Sequence, residues 1–131
     1  MKERLPFAND FRELLVYKKS MHLAESIQKE TKEFPKEEVY SLTNQIRRSS
    51  RSIGAQIAEA WGKRAYVKHF TSKLTDAEAE LFETEHWIEI AFNCKYISPA
   101  TLVKLNKQCH DIKNLLGGMI IKASLFCSSD R

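Results

Sequence analysis

One pair of residues in this chain has a spacing that metal enzymes use. Glu83 and His86 are separated by the Glu-x-x-His interval that di-iron proteins place inside helical bundles. Such a site needs two inward-pointing copies of the interval, together with carboxylates from two further helices. The chain has a single copy, and both side chains project away from the apolar helical face that contains Leu81. We therefore expect Glu83 and His86 to lie on the surface and to bind no metal.

The histidines and cysteines as a group also lack a reactive arrangement. The four histidines have no paired metal spacing, and the three cysteines follow no disulfide framework, which is typical of reduced thiols. Cys109 falls on an apolar helical face, which favours a small buried residue over a nucleophile. There is no glycine-rich phosphate loop and no Ser/His/Asp arrangement. The sequence predicts a cytoplasmic protein that is not an enzyme and uses no metal or cofactor. The four histidines are His22, His69, His86 and His110, and the three cysteines are Cys94, Cys109 and Cys127.

Charge is sorted along the chain, although the net charge is only +4. Residues 42–68 carry six Arg or Lys side chains against one acid, Glu59. Residues 76–89 carry six carboxylates and no Lys or Arg, and residues 95–122 carry five lysines against Asp111. A basic segment of this kind indicates a surface for a polyanion or for an acidic partner.

The strongest basic cluster is Arg47, Arg48 and Arg51, with Lys63 and Arg64 further along. The three arginines project from the side of their helix opposite Ile46, and an Arg guanidinium suits phosphate and carboxylate equally well. One interpretation is that all five residues bind the backbone of RNA or DNA. The alternative is ion pairing inside the protein, with Glu59 and with the acidic segment. The sequence leaves both interpretations open.

These side chains must be positioned by helices, because apolar residues recur at alternating steps of three and four. Four apolar seams follow this period, and no useful stretch alternates as a strand would. The seams are Val16, Ser20, Leu23, Ile27, Glu30 and Phe34; Val39, Leu42, Ile46, Ser49, Ser50, Ile53, Ile57 and Ala60; Val67, Phe70, Leu74, Ala77, Leu81, Thr84, Ile88 and Ala91; and Leu102, Leu105, Cys109, Ile112, Leu116, Met119, Ala123 and Phe126.

Prolines and glycines divide the seams into helices at about 10–34, 36–62, 65–94 and 98–125. Pro35 suits the first turn of the second helix, Gly62 its end, and Ser98 with Pro99 the start of the fourth. Short connections then predict an all-α fold, a single domain over residues 1–131 built as an antiparallel up-down-up-down four-helix bundle. The adjacent Gly117 and Gly118 predict a close helix crossing or a kink.

No part of the chain resembles a targeting or membrane segment. The charged residues 1–7 lack the apolar run of a signal peptide, and no stretch approaches the ~20 apolar residues that span a bilayer. The sequence therefore predicts no membrane partner.

Two helices carry more apolar surface than a monomeric bundle needs. Leu14, Tyr17 and Met21 lie away from the first seam, and Phe82, Trp87 and Ile90 lie beside or opposite the third. Grouped apolar side chains of this kind indicate a partner surface, so we expect self-association through them. An acidic helix beside basic ones also allows a head-to-tail contact, which closes rings. The alternative is that the acidic helix pairs only with its own neighbours.

The second helix and the residues before it resemble the signature of a known family. The segment FPKEEVYSLTNQIRRSS at residues 34–50 is similar to Phe-Pro…Glu…Tyr-x-Leu…Gln-x-Arg-Arg, and Ser52-Ile53 and Ile57-Ala58-Glu59 continue the pattern. This family comprises proteins encoded in intervening sequences of bacterial 23S rRNA genes. The resemblance implies a four-helix bundle assembled as a cyclic homopentamer. It also implies kinship with accessory proteins of diversity-generating retroelements, which are implicated in binding nucleic acid and a reverse transcriptase.

The sequence as a whole favours a cytoplasmic, non-catalytic homo-oligomer. Its expected ligand is RNA, DNA or a nucleic-acid enzyme such as a reverse transcriptase, bound through the basic face of the second helix. The alternative is a structural protein-protein interaction module with no nucleic-acid role.

Overall fold

The chain folds into four helices in a computed structural model that describes residues 8–127. They are α1 (Leu15–Thr31), α2 (Leu42–Gly62), α3 (Val67–Asn93) and α4 (Pro99–Ile121). Three short 3₁₀ turns accompany them, at Phe11–Glu13, Lys36–Glu38 and Ala123–Leu125, and residues 8–127 contain no strand. The expectation about residues 1–7, and the outer limits of the predicted domain, lie outside these described residues.

The helices were predicted well at their interiors and less well at two starts. The first helix begins at Leu15 rather than near residue 10, because Leu14 has an extended backbone (φ −68°, ψ 133°). The second begins at Leu42 rather than near residue 36. The Glu38 carboxylate accepts hydrogen bonds from the Ser41 hydroxyl (2.6 Å) and from the Leu42 amide (3.2 Å). The second helix, α2, therefore starts after Glu38, and Pro35 opens only a 3₁₀ turn.

Two other boundaries lie where the sequence predicts them, whereas α1 ends at Thr31 and α4 at Ile121, before the predicted ends near residues 34 and 125. Gly62 ends α2, and Pro99 begins α4 while the Ser98 hydroxyl accepts a hydrogen bond from the Thr101 amide (3.1 Å). After α3, Lys95 adopts a left-handed conformation (φ 66°), so that the Tyr96 amide turns back to the Ala91 carbonyl (2.9 Å).

The core consists of the four predicted seams, and their central residues are buried. Val39 and Val67, which lie at seam ends, are exposed. A polar pair lies within this core: the Ser49 and Thr84 hydroxyls are 2.8 Å apart, and neither residue is exposed to solvent. Their hydrogen bond joins α2 to α3 and satisfies groups that burial would otherwise leave unpaired.

The helices pack in a closed order, α1 on α2, α2 on α3, α3 on α4 and α4 on α1. A close approach occurs at Gly54 of α2, where a Cβ atom would lie 3.1 Å from the Ser20 hydroxyl of α1. The prediction of a close crossing at Gly117 and Gly118 is wrong, because a Cβ atom added at either glycine would meet, among the described residues, no atom of a neighbouring helix within 4 Å. Within residues 8–127 no helix combines the length and apolar character needed to cross a membrane.

Candidate nucleic-acid interface

The arginines of α2 diverge because of their positions on one helix. Arg47 and Arg51 are four residues apart and share a face, whereas Arg48 is turned about 100° from Arg47. Arg47 and Arg51 therefore point towards α1, and Arg48 points towards α3. The cluster predicted from the sequence is divided between two helix-helix seams.

Arg48 is bound to the acidic helix. Its Nη2 atom lies 2.7 Å from both carboxylate oxygens of Glu83 and 3.3 Å from Glu80. Hydrogen bonding to Glu83 raises the pKa of Arg48. In turn the bond from Arg48, followed by one from the Trp87 indole (3.0 Å), lowers the pKa of the Glu83 carboxyl. The positive charge of Arg48 is therefore compensated within the protein.

The expected pairing of Glu59 with these arginines does not form. Its carboxylate lies 2.6 Å from the Lys73 ammonium of α3, and Asp76 is 3.5 Å from the same ammonium. Lys73 reaches Glu59 because the two face each other across the α2–α3 seam. The interpretation based on internal ion pairing is thus confirmed for Arg48 and the acidic helix, and wrong for Glu59.

Arg47 and Arg51 have neutral partners instead. The Arg47 Nε donates to the Thr31 hydroxyl (2.8 Å), and an Arg51 amino group donates to the Gln28 side-chain carbonyl (2.5 Å). These bonds orient both guanidinium groups along α1 and leave their charges uncompensated by a carboxylate in those contacts. Arg51 is exposed and Arg47 is half-buried.

Beside Arg51 lies a groove that the sequence analysis missed. This open groove has a volume of about 350 Å³ and lies between α1 and α2, next to their close approach at Gly54. Its signal in the sequence is a pair of small residues four apart on each helix. The lining residues are Ser20, Met21, Ala24, Glu25, Gln28, Ser50, Arg51 and Gly54.

Lys63 and Arg64 form a second basic group at the end of α2. Helical rise separates Lys63 from Arg51 by about 18 Å along the axis, so the five predicted residues do not make one patch. Lys63 is exposed. The Arg64 guanidinium stacks 3.5 Å above the Trp61 ring, and its Nε donates to the Trp61 carbonyl (2.8 Å).

Of the six residues predicted to lie at an oligomer interface, Leu14 does not lie at the surface. It is only 9% exposed and belongs to the core, because its extended backbone before α1 turns the side chain inward. Tyr17, Trp87 and Ile90 are half-buried against the core. Met21 (43%) and Phe82 (55%) are exposed, so these two retain the surface position that self-association requires.

Two of the side chains considered for catalysis, Glu83 and Cys109, are paired or buried, whereas His86 is exposed. Glu83 of the Glu-x-x-His interval is held by Arg48. Cys109 is buried, and the loss of hydration raises the pKa of its thiol to about 12. Residues 8–127 contain no group of three or more His, Cys, Asp and Glu side chains that could hold a metal ion.

Comparison with known proteins agrees with the fold. The family model of the 23S rRNA-intervening sequence protein matches residues 12–118. The chain is also similar to a protein with unknown function from the S23 ribosomal protein family of Bacteroides thetaiotaomicron, whose crystal structure was solved at 1.70 Å resolution. The two are 32% identical with a TM-score of 0.73 over 81% of this chain and 98% of that chain. No curated protein matches the chain.

Proposed function

This chain belongs to the family of 23S rRNA-intervening sequence proteins, and we propose that it acts by binding a nucleic-acid backbone rather than by catalysis. The binding surface is the seam between α1 and α2 that presents Arg47 and Arg51. The protein works as a cytoplasmic homo-oligomer.

One observation carries this proposal: Arg47 and Arg51 are oriented by neutral partners, whereas Arg48 is neutralised by Glu80 and Glu83. A guanidinium that is held in place but keeps its charge is suited to phosphate, which it binds through two parallel hydrogen bonds. Such contacts release counterions from the nucleic acid, which supplies most of the binding free energy of a sequence-independent protein.

We further propose an antiparallel up-down-up-down bundle that assembles with copies of itself. Contacting residue numbers fall on one helix as they rise on the next, as in the contacts of Arg47 with Thr31 and of Arg51 with Gln28. The exposed Phe82 supports self-association. The family resemblance suggests five subunits, and a ring would repeat the basic surface, so that weak contacts sum through multivalency.

The test is fluorescence anisotropy with labelled RNA and DNA at several salt concentrations. Replacing both Arg47 and Arg51 with Glu should weaken binding to all sequences and lower the log–log salt slope by about 1.4–1.8, the contribution of two phosphate contacts. Arg48→Gln is the matched control, because its charge is already compensated, and it should leave the salt slope unchanged. If the wild type shows no salt-dependent binding near 50 mM salt at micromolar protein, the proposal is wrong.

A second candidate function is a protein-protein interaction module with no nucleic-acid role. It is favoured by the use of Arg48 to join α2 to α3 and by the exposed Met21 and Phe82. It predicts that the Arg47 and Arg51 double variant changes the mass measured by light scattering. Nucleic-acid affinity would stay at background in both proteins. A reverse transcriptase, the partner suggested by the resemblance, would be tested by co-purification with the same variants.

A further inference from the structure

The turn between α2 and α3 is basic without nearby compensation in the sequence. Residues 60–75 contain five groups that are cationic or can become so, and no Asp or Glu. Lys73 is paired with Glu59, but Lys63 and Lys68 are exposed and flank the turn on both sides. We call the turn surface the set Trp61, Lys63, Arg64, Tyr66, Lys68 and His69.

An exposed aromatic ring lies at the centre of this surface. Tyr66 is 63% exposed, although a large aromatic side chain gains most when it is buried. Its backbone is fixed because its carbonyl accepts the Phe70 amide hydrogen bond (3.0 Å) at the start of α3. The His69 ring packs against it at a centroid separation of 5.3 Å. The Tyr66 ring is therefore held at its base and edge while most of its surface stays open to solvent.

A flat cation lies a few residues before it. The Arg64 guanidinium is held in place by stacking on Trp61 (3.5 Å) and by its bond to the Trp61 carbonyl (2.8 Å). A guanidinium plane of this kind can stack on a nucleobase as well as attract phosphate. The turn surface thus combines a fixed aromatic ring, a fixed planar cation and two exposed lysines.

We propose that the turn surface stacks unpaired bases, so that the ligand of this protein is single-stranded nucleic acid; this inference rests on the proposed function. Phosphate binding alone needs cations and no exposed ring. The bases of a duplex are already stacked on one another, whereas those of a single strand are free to stack on tyrosine and arginine. Arg51 lies about 18 Å along α2 from Lys63, so the turn surface and the α1–α2 seam would contact a bound strand at two separate places.

The decisive variant is Tyr66→Ala, compared with Tyr66→Phe, which keeps the ring. The ligands are a labelled thymidine oligonucleotide, the same backbone with abasic sites, and a duplex of equal length. Tyr66→Ala should weaken binding to the thymidine strand by about 5- to 150-fold, and Tyr66→Phe should stay within about twofold. The salt slope of Tyr66→Ala should equal that of the wild type, because stacking releases no counterions. Tyr40→Ala is a matched control, since Tyr40 is 93% exposed but follows two glutamates.

Three further results are expected if the inference is right. Wild type should bind the abasic strand at least as weakly as Tyr66→Ala binds the thymidine strand, because removing the bases also removes stacking on Arg64. Duplex affinity should be the same in both proteins. Circular dichroism and light scattering should show unchanged helix content and mass, because Tyr66 is exposed and lies before the first residue of α3.

Several outcomes would overturn the inference. An equal loss on duplex and single strand, or no loss on Tyr66→Ala, would refute base stacking while leaving the proposed function intact. An aromatic residue among cations also suits an anionic bilayer, so stronger binding to phosphatidylserine vesicles than to the thymidine strand would refute it as well. A wild type that binds no nucleic acid would refute both proposals together.

Discussion

Replacing Thr84 with valine tests how the polar pair inside the core joins α2 to α3. Thr84 and Ser49 are both fully buried, and the Thr84 hydroxyl lies 2.8 Å from the Ser49 hydroxyl and 2.8 Å from the Glu80 carbonyl. One hydroxyl proton cannot serve both contacts, so Thr84 donates to Glu80 while Ser49 donates to Thr84. Valine keeps the shape and removes both bonds. Ser49 is then left with the Ile46 carbonyl at 3.4 Å, close to the limit of a hydrogen bond.

The expected loss of unfolding free energy is about 1–3 kcal/mol, because a buried hydroxyl without a good partner costs its full desolvation penalty. Adding Ser49→Ala removes the orphaned hydroxyl. Since replacing both partners with apolar groups is nearly neutral, the double variant should recover most of the loss. The two substitutions should therefore be strongly non-additive.

The measurement is urea unfolding followed by far-ultraviolet circular dichroism, at one fixed protein concentration because the proposed assembly would make stability depend on concentration. Thr75→Val is the control, since Thr75 is exposed on the same helix, and it should change stability by less than about 0.5 kcal/mol. A Thr84→Val protein as stable as wild type, or a double variant that loses the sum of the single losses, would refute this account of the core.

Four further predictions are independent of this one. Leu81 is fully buried, so Leu81→Ala should cost about 2–5 kcal/mol in denaturant unfolding. Phe82→Glu replaces an exposed aromatic ring with a charge at the proposed oligomer interface. The molecular mass measured by light scattering should fall, and the helical circular dichroism signal should be retained. A thiol reagent added to the folded protein at pH 8 should modify the exposed Cys94 and spare Cys109, which is buried and whose pKa is raised to about 12. The lowered pKa of Glu83 stabilises the fold above the unfolded carboxyl pKa of about 4.3, and this contribution is lost as pH falls through the folded value. Glu83→Gln should therefore flatten the stability profile from about pH 5 downwards, measured by urea unfolding at each pH.

The helical interiors could be predicted because the apolar period is a local property. Leu23, Ile53, Leu81 and Ile112, one from each helix, belong to apolar patterns with the spacing of a helix, and each is fully buried. The fourth helix start was equally predictable, since Ser98 caps it through a residue only three positions away. These features depend on side chains within one or two turns of each other.

The starts of α1 and α2 could not be predicted from the same period. Leu14 lies off the first apolar seam, yet its extended backbone places its side chain in the core. The Glu38 carboxylate, besides capping α2, accepts a hydrogen bond from the Tyr96 hydroxyl (2.9 Å). That contact joins residues 58 positions apart, and no local pattern reveals it.

Residue types and the helical period are enough to specify four amphipathic helices, their core faces and the concentration of positive charge on α2. The contacts of each arginine depend instead on how the helices pack. Arg47 and Arg48 are adjacent in sequence, yet one is held by Thr31 and the other by Glu83. Helical geometry sets the direction of each side chain, but the partner it meets depends on the register between packed helices. That register is set by contacts along whole seams, such as the close approach at Gly54, and no single segment contains it.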